Sequence, residues 1–481
     1  MNIAAKAVTG MGWAAVEKWS SRLVSLLVLL VLGRLLTPAD FGLVALGTVF
    51  MTFLNVFVDQ GFGRALVQRK VLGEKHASTA FWFGLTSSVA LAGLLILLAP
   101  ALASIFDEPG LAPIIQVMSL GLVLYALSSV PQALLERDFK FRALAGRRVL
   151  GTLLGGISAI VAASFGLGAW ALVVQTLVTA GVGVIVLWST ADWRPSFTFS
   201  WKAFRELWPV GFSVVGIELV GFANSQADKL LVGAFLDATA LGYYFFAMRI
   251  ISIMVELFSA VLSSISLTTF SRLQHDREQM RAWLYRLTSI SCCLAMPAFA
   301  VLAAVAPEAV PLVFGEQWRE SGPLVQILCV LGAINAVAVF DRSALLAVGR
   351  NRTAFLLTLG QAIVGIGLVA VALPFGVVAV AIAVSARQLI WWPVRLAALV
   401  SGVGIDWKKY LGLWLKPFVL CCLAAAAGWA LFAVVWDLSG MPIVFTVVTT
   451  LVVLGLSAAL FALVLRPTLS DALALIKQRK A

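Results

Sequence analysis

The positions of the lysine and arginine residues constrain this chain most, because they alternate with long apolar runs. Fourteen hydrophobic segments can be drawn, and the links between them are in turn rich in basic residues and almost free of them. Most of the 35 basic residues lie in every second link or in the tails, and the opposite links carry only Arg34 and Arg319. Lysine and arginine are retained on the cytoplasmic side during membrane insertion. The pattern therefore predicts a multi-pass membrane protein with an even number of spans and both termini in the cytoplasm.

The composition agrees with this prediction. Hydrophobic residues make up 61% of the chain and charged residues 12%, against about 45–50% and about 25% in soluble domains. Spans of ~20 apolar residues each leave little of the chain for a soluble domain. The net charge of +12 lies in short loops at one membrane face. Anionic phospholipid headgroups are therefore a better partner for it than nucleic acid.

We predict an all-α integral membrane protein of about 14 transmembrane helices. The segments are roughly 10–34, 41–66, 78–105, 112–135, 144–164, 168–190, 206–233, 241–270, 287–306, 322–348, 353–373, 376–402, 412–435 and 442–465. The links on the extracytoplasmic side are too short to build an active site.

The chain also repeats itself. Gly33 and Gly42 recur as Gly233 and Gly242, and further matches share a slightly longer offset. Segments 1–6 and 7–12 therefore read as two copies in the same orientation, related by an axis along the membrane normal. The predicted domains are a six-helix lobe at 1–190, a linker at 191–209, a second six-helix lobe at 210–402, and two additional helices with a cytoplasmic tail at 403–481.

The linker between the two copies has an aromatic face. Trp201, Phe204 and Trp208 fall on one side of a helix, with Lys202 and Arg205 off it. Such a pattern favours a helix that lies in the membrane interface and tethers the two lobes. A plain cytoplasmic loop is the alternative.

Five stretches carry a resemblance to a known family. They are LLTPADFG at 35–42, DQGFGRALVQRK at 59–70, STAFW at 78–82, SSVPQALLER at 128–137 and DKLLVG at 228–233. The chain resembles the polysaccharide transporter family, the Wzx-type flippases of the MOP superfamily, which also contains the MATE-like fold.

This resemblance implies two six-helix lobes around a cavity that opens to one side of the membrane at a time. It implies a lipid-linked oligosaccharide of the undecaprenyl-pyrophosphate type as cargo, flipped from the cytoplasmic to the periplasmic leaflet of the bacterial inner membrane. It further implies a role in lipopolysaccharide or exopolysaccharide biosynthesis, and a polysaccharide polymerase complex as a partner.

Several basic residues lie inside the apolar segments, where a charge costs at least ~2.5 kcal/mol. Such side chains should face a wet interior, and a cationic interior suits pyrophosphate, which is bound by several Lys or Arg donors at once. Snorkelling to the cytoplasmic edge is the alternative for Lys18 and Arg22. A local pair with Asp341 is the alternative for Arg342. The candidate pyrophosphate-binding residues are Arg22, Lys229, Arg249, Lys18 and Arg342.

Polar stripes at helical spacing run along three segments. They are Thr48, Thr52, Asn55 and Asp59; Glu218, Phe222, Ser225 and Lys229; and Arg249, Ser252, Glu256, Ser259 and Ser263. Faces of this kind line a water-filled interior, or they hydrogen-bond neighbouring helices. A buried carboxylate on such a face can hold a coupling proton or sodium ion, or act as a counter-ion for a nearby cation. The candidates for these two roles are Glu17, Glu218, Glu256, Asp59 and Asp228.

Other function classes fit the residues less well. A lipid II flippase needs the same phosphate donors and stays open as an alternative. A MATE-type antiporter for cationic compounds favours an acidic, aromatic interior, whereas this one has a cationic excess. A membrane enzyme acting on glycans needs a catalytic loop with clustered acids or metal ligands, whereas the extracytoplasmic links are too short and the cytoplasmic ones are basic. The five cysteines also lack metal-ligand spacing. We therefore expect no catalytic residues, metal or cofactor, with coupling to an H⁺ or Na⁺ gradient or to the membrane potential.

Overall fold

The computed structural model describes residues 3–59, 61–69, 73–273, 276–435 and 442–464. Within these ranges only the backbone is described at 3–18, 59, 68, 74, 210, 213, 259–269, 271–272, 428–429, 431–435, 442–446 and 460–464. Every regular element in the described ranges is a helix. The predicted all-α class is confirmed.

Sixteen α-helices and two short 3-10 helices, at Glu316–Trp318 and Leu373–Phe375, follow one another along the described residues. The α-helices are α1 (Ile3–Leu35), α2 (Pro38–Asp59), α3 (Phe62–Gln68), α4 (Glu74–Ile105), α5 (Leu111–Met118), α6 (Leu120–Arg137), α7 (Phe141–Ser164), α8 (Trp170–Thr190), α9 (Trp201–Phe235), α10 (Ala238–Arg272), α11 (Arg277–Phe314), α12 (Ser321–Ala347), α13 (Asn351–Ala372), α14 (Gly376–Val403), α15 (Trp407–Val435) and α16 (Pro442–Val464).

The helices follow the order of the predicted segments, with three main differences. The segment predicted at 287–306 is part of the longer helix α11, which begins ten residues earlier and ends eight residues later. The segment predicted at 41–66 is divided between α2 and α3. Gly61 lies in this break with a φ of 66°, a left-handed conformation that glycine adopts without steric penalty. The segment predicted at 112–135 is divided between α5 and α6 at Ser119. Two of the predicted spans therefore contain a break.

The lengths and compositions of the helices are those of membrane spans. Ten helical stretches of the described residues are long and apolar enough to cross a bilayer, or eleven if the bent stretch that begins at Trp201 counts as one span. One of the ten, Asn351–Val403, contains both α13 and α14. Helices can cross the bilayer because their backbone N–H and C=O groups form hydrogen bonds within the helix. The chain is thus a multi-pass membrane protein, and the number fourteen stays a prediction.

The chain divides into two compact units, Met1–Phe245 and Phe246–Ala481. In the first unit α7 packs closely against α1 and α8. A Cβ atom built on Gly155 would lie 2.0 Å from the Thr179 hydroxyl oxygen, and one on Gly156 would lie 2.3 Å from a Val28 methyl carbon. Small residues of this kind let membrane helices approach one another. The predicted boundaries of the lobes, the linker and the additional helices stay predictions.

Two turns of the first unit touch each other reciprocally. A Cβ atom on Gly42 would lie 1.7 Å from the carbonyl oxygen of Ala238, and one on Gly242 would lie 1.8 Å from that of Pro38. Both pairs of equivalent positions are separated by the offset of the predicted repeat. The turn from α1 to α2 therefore meets its counterpart, from α9 to α10, in the self-complementary way of a two-fold contact.

Polar side chains join the helices of the second unit. The Gln361 side-chain amide on α13 donates to the amide oxygen of Gln388 on α14 at 2.8 Å, and Gln388 donates to that of Asn335 on α12 at 3.0 Å. The buried carboxylate of Asp341 accepts a hydrogen bond from the Tyr410 hydroxyl at 2.5 Å. Hydrogen bonds between membrane helices stabilise their packing in this way.

Candidate functional site

The predicted pyrophosphate-binding residues differ in burial. Arg22 on α1 and Lys229 on α9 are half-buried in the first unit, and Arg249 on α10 and Arg342 on α12 are exposed in the second. The side chain of Lys18 lies outside the described residues. Whether the two pairs of residues face one cavity stays a prediction, because they belong to different units.

Lys229 lies among polar and aromatic neighbours near the end of α9. Its ammonium group donates to the side-chain oxygen of Gln226 at 2.8 Å and lies 5.7 Å from the centre of the Phe245 ring. The adjacent Asp228 is buried and accepts a hydrogen bond from the Tyr244 hydroxyl at 2.5 Å. Both charged groups are thus compensated inside the first unit, as charges within apolar surroundings must be.

The predicted acidic residues also differ from one another in their contacts and burial. Glu218 on α9 forms an ion pair with Arg64 on α3, with 2.5 Å between carboxylate oxygen and guanidinium nitrogen. Glu256 is half-buried on α10. The side chains of Glu17 and Asp59 lie outside the described residues. The Arg64–Glu218 contact is what a counter-ion role for Glu218 requires, and the roles of all five acids stay predictions.

Four hydroxyl groups of the polar stripes are satisfied within their own helices, and the side chains of Ser259 and Ser263 lie outside the described residues. Thr48, Thr52, Ser225 and Ser252 each donate to the backbone carbonyl four residues earlier, at 2.7 to 2.9 Å. The side-chain oxygen of Asn55 is buried and accepts no hydrogen bond from the described residues. The stripes therefore offer their oxygen lone pairs rather than their donors to whatever lies against them.

A polar pocket of about 220 Å³ lies in the first unit, between α3 and α6. We call it the α3–α6 pocket. Its lining residues are Gly63, Arg64, Tyr125, Ser128, Ser129, Gln132, Ala133 and Glu136. It joins two of the stretches that carry the family resemblance, at 59–70 and 128–137.

Hydrogen bonds fix the polar side chains of this pocket. The Gln132 amide nitrogen donates to the Glu136 carboxylate at 2.8 Å, and Arg147 on α7 donates to the Gln132 amide oxygen. The Ser128 hydroxyl donates to the carbonyl oxygen of Leu124 at 3.0 Å. Gln132 is thus held from both ends, so that its amide plane keeps one orientation.

The predictions from sequence missed this pocket, although a signal for it exists. Tyr125, Ser128, Ser129, Gln132 and Glu136 recur at steps of three or four along α6, and residues so spaced share one helical face. The face carries no basic residue, so a search for charges inside apolar segments passes over it. Arg64 was missed as a site residue because it belongs to a basic link of the topology pattern.

Ion pairs lie near the ends of these helices. Arg69 and His76 both contact the Glu206 carboxylate, His76 at 3.2 Å. The Lys140 ammonium, in the turn between α6 and α7, donates to the carboxylate of Asp192 in the loop before α9, at 2.6 Å. This hydrogen bond, together with the charge of Lys140, holds the pKa of Asp192 below its ordinary value.

The aromatic residues of the predicted linker form a row of adjacent rings. The helix begins at Trp201, and residues 192–200 are not helical. Trp201 and Phe204 stack with ring centres 5.1 Å apart, and Phe204 and Trp208 follow at 5.3 Å. The two tryptophans are exposed. Exposed aromatic rings are what an interfacial helix requires, and its position on the membrane stays a prediction.

Solved structures share this fold. The chain resembles a lipid II flippase MurJ in an inward closed conformation, with a TM-score of 0.74 and 15% identity, over 93% of this chain and 98% of that one. It also resembles an inward-facing multidrug resistance MATE family transporter of the MOP superfamily, with a TM-score of 0.63 and 15% identity, over 82% and 99% of the two chains. The fold is therefore that of MOP-superfamily transporters.

A sequence comparison identifies one family among the proteins that share this fold. Residues 31–323 match the family model described as Polysaccharide biosynthesis protein, and the chain belongs to that family.

Three relatives have specific names. The succinoglycan biosynthesis transport protein ExoT of Rhizobium meliloti (strain 1021) is 28% identical, over 76% of this chain and 74% of its own. The lipopolysaccharide biosynthesis protein WzxC of Escherichia coli (strain K12) is 24% identical, over 90% and 88%. The teichuronic acid biosynthesis protein TuaB of Bacillus subtilis (strain 168) is 23% identical, over 90% of both chains. The α3–α6 pocket lies wholly within the region that matches the family model.

Proposed function

We propose that this protein is a flippase that moves a lipid-linked oligosaccharide from the cytoplasmic to the periplasmic leaflet of a bacterial inner membrane. The cargo is an oligosaccharide on undecaprenyl pyrophosphate, destined for a lipopolysaccharide or exopolysaccharide. The proposal includes cytoplasmic termini and handover of the cargo to a polysaccharide polymerase complex.

One observation carries this proposal. Within the region that matches the family model, α3 and α6 line an open polar pocket that contains the exposed Arg64, and Arg147 donates a hydrogen bond to its Gln132. Arg64 belongs to a basic link, so the predicted topology places this pocket at the cytoplasmic end of the helices. Polar groups that converge between membrane helices mark pathways for polar cargo. The names of the relatives, which refer to three different polysaccharides, support a glycan as that cargo.

The mechanism we propose is alternating access. The oligosaccharide and its pyrophosphate enter a polar interior, and the polyprenyl tail stays in lipid. Arg22, Lys229, Arg249, Lys18 and Arg342 are the proposed phosphate contacts, because bidentate arginine and mobile lysine donors suit phosphate oxygens. Cargo binding then shifts the population between inward- and outward-open states. Coupling to an H⁺ or Na⁺ gradient, or to the membrane potential, stays part of this proposal.

A lipid II flippase is the nearest alternative. The likeness to MurJ favours it, but at 15% identity this likeness concerns the fold. The two functions can be distinguished by identifying the lipid-linked glycan that accumulates in a strain that lacks this gene. We expect mass spectrometry to find an accumulated lipid-linked oligosaccharide. Accumulation of lipid II alone would replace the proposed cargo.

Two arginines test the proposed phosphate contacts. We expect Arg22→Ala or Arg249→Ala to abolish surface polysaccharide while the protein still inserts into the membrane, because each removes a donor for the pyrophosphate. The exposed Arg352 on α13 provides a matched control, and Arg352→Ala should leave export unchanged. Normal export by both variants, measured on protein-matched membranes, would remove these residues from the site.

A further inference from the structure

The charges around the α3–α6 pocket are balanced. Arg64 and Glu136 are the charged residues among those that line it, and Arg64 is already paired with Glu218. Pyrophosphate requires several uncompensated Lys or Arg donors at once. The pocket therefore suits a neutral polar group better than the phosphate end of a lipid-linked cargo.

The lining residues supply both a donor and acceptors. The Gln132 amide uses one of its two hydrogens on Glu136 and retains the other as a donor. The Ser128 hydroxyl hydrogen is used within α6, which leaves the lone pairs of its oxygen for an incoming donor. Glu136 accepts one hydrogen bond from Gln132 and retains further acceptor capacity. A sugar ring carries several hydroxyls, and each can donate and accept hydrogen bonds. Such a ring can therefore pair with both the donor and the acceptors of the pocket.

Tyr125 adds an aromatic surface to the pocket. Its side chain is 39% exposed, and it lines the pocket on the same helical face as the hydroxyl and amide groups. The electron-rich face of an aromatic ring attracts the weakly positive C–H groups of an apolar edge. Sugar rings present such C–H faces beside their hydroxyls, whereas phosphates do not.

The size of the pocket limits what it holds. At about 220 Å³, it is smaller than the ~300–1,000 Å³ sites that enclose drug-sized ligands. This volume is of the order of one sugar ring and too small for a complete oligosaccharide. The rest of the cargo must then extend outside the pocket.

Hydrogen bonds tie the walls of the pocket together. Arg137 of α6 donates to the carbonyl oxygens of Leu66 and Arg69, at 2.8 and 2.6 Å, which ties the end of α3 to α6. Arg147 and Glu136 fix the orientation of the Gln132 amide. Preorganised polar groups bind a ligand with a smaller loss of conformational entropy. The arrangement is thus a built site rather than an accidental gap between helices.

We propose that the α3–α6 pocket binds one neutral sugar ring of the oligosaccharide cargo, with Gln132 and Glu136 as hydrogen-bonding residues and Tyr125 as the stacking surface. This inference rests on the proposed flippase function. The pocket then helps to select the sugar, while the pyrophosphate is bound by cationic residues elsewhere.

The test measures binding of two lipids to purified protein in nanodiscs by microscale thermophoresis. One is the undecaprenyl-pyrophosphate-linked oligosaccharide isolated from the deletion strain, and the other is undecaprenyl pyrophosphate without sugar. We expect Gln132→Leu to weaken binding of the sugar-bearing lipid about tenfold, which corresponds to the loss of one or two hydrogen bonds. Binding of the sugar-free lipid should not change.

Two further comparisons distinguish the loss of a sugar contact from misfolding of the variant. Gln116→Leu makes the same chemical change on α5, outside the pocket, and should alter neither affinity. Tyr125→Ala should weaken binding of the sugar-bearing lipid only. Tyr125→Phe should bind this lipid like the wild type, because the ring is retained.

Equal weakening of both lipids, or unchanged binding of both, by Gln132→Leu and by Tyr125→Ala would refute the sugar subsite and leave the flippase function standing. Wild-type protein that binds neither lipid would overturn the flippase function, and the subsite with it.

Discussion

At the scale of single residues, charged groups in the first unit are matched by specific partners. Arg64 contacts Glu218, Lys229 donates to Gln226, and Asp228 accepts from a tyrosine hydroxyl. Asp228 is buried and Lys229 half-buried, so their partners remove part of the cost of a charge in apolar surroundings. The side chains of Arg64 and Glu218 are 54% and 39% exposed. The partners differ in kind, and only the first is an ion pair of opposite charges.

The Arg64–Glu218 pair can be tested by reversing its charges. We expect Arg64→Glu and Glu218→Arg each to reduce surface polysaccharide strongly, because two like charges then meet beside the α3–α6 pocket. The double variant should recover most of the export, since it restores the attraction with the partners exchanged. Polysaccharide is measured per amount of protein in the membrane.

The loop pair of Glu316 and Arg319 serves as the control for this experiment. It has the same two residue types and is exposed like the Arg64–Glu218 pair, but it lies outside the α3–α6 pocket. Arg319→Glu should therefore leave export unchanged. A double Arg64→Glu, Glu218→Arg variant as inactive as both single variants would show that the pairing is not what matters.

At the scale of helices, the close contacts in the first unit depend on glycine. The face of α7 that meets α1 and α8 is built from Gly151, Gly155 and Gly156. The reciprocal contact of the two repeat-related turns depends on Gly42 and Gly242 in the same way. At these turns the neighbouring atom is a backbone carbonyl oxygen, which cannot rotate away as a side chain can.

The turn contact predicts a loss of stability. We expect Gly42→Ala, and equally Gly242→Ala, to destabilise the protein by about 1–3 kcal/mol, the usual range for overpacking. The added Cβ would meet a carbonyl oxygen at 1.7 or 1.8 Å. Thermal melting of purified protein in detergent measures the effect.

Gly93 on α4 is the matched control, since no heavy atom lies within 4 Å of its added Cβ. Gly93→Ala should leave the melting temperature unchanged or raise it slightly, because alanine favours the helix. Equal melting of Gly42→Ala and Gly93→Ala would contradict the tight contact.

At the scale of the whole molecule, the distribution of basic residues predicts which loops face the cytoplasm. Phe139 lies in a turn beside the basic residues of α6 and α7, and Asp107 lies in an acidic turn between α4 and α5. The five native cysteines described in the structure are free, so they must be replaced before labelling.

In that cysteine-free background, we expect Asp107→Cys to react with a membrane-impermeant maleimide added to intact spheroplasts. Phe139→Cys should react only after the membrane is opened. The reason is that basic loops are retained in the cytoplasm during insertion. The reverse pattern would invert the predicted topology, and with it the direction of the proposed transport.

The order and approximate ends of the membrane helices could be read from the sequence, as could the family. Both depend on local properties: apolar length, nearby basic residues and short motifs such as SSVPQALLER. The breaks at Gly61 and Ser119 were not predicted, because an apolar run does not show where a helix changes direction.

The α3–α6 pocket and the Arg64–Glu218 contact emerged only from the tertiary structure. Arg64 and Glu218 are 154 positions apart, and hydrophobic periodicity carries no information about which distant faces pack together. A helix reveals in its sequence that one face is polar. Which partner that face meets, and whether a space remains between them, depends on the packing of three or more helices at once.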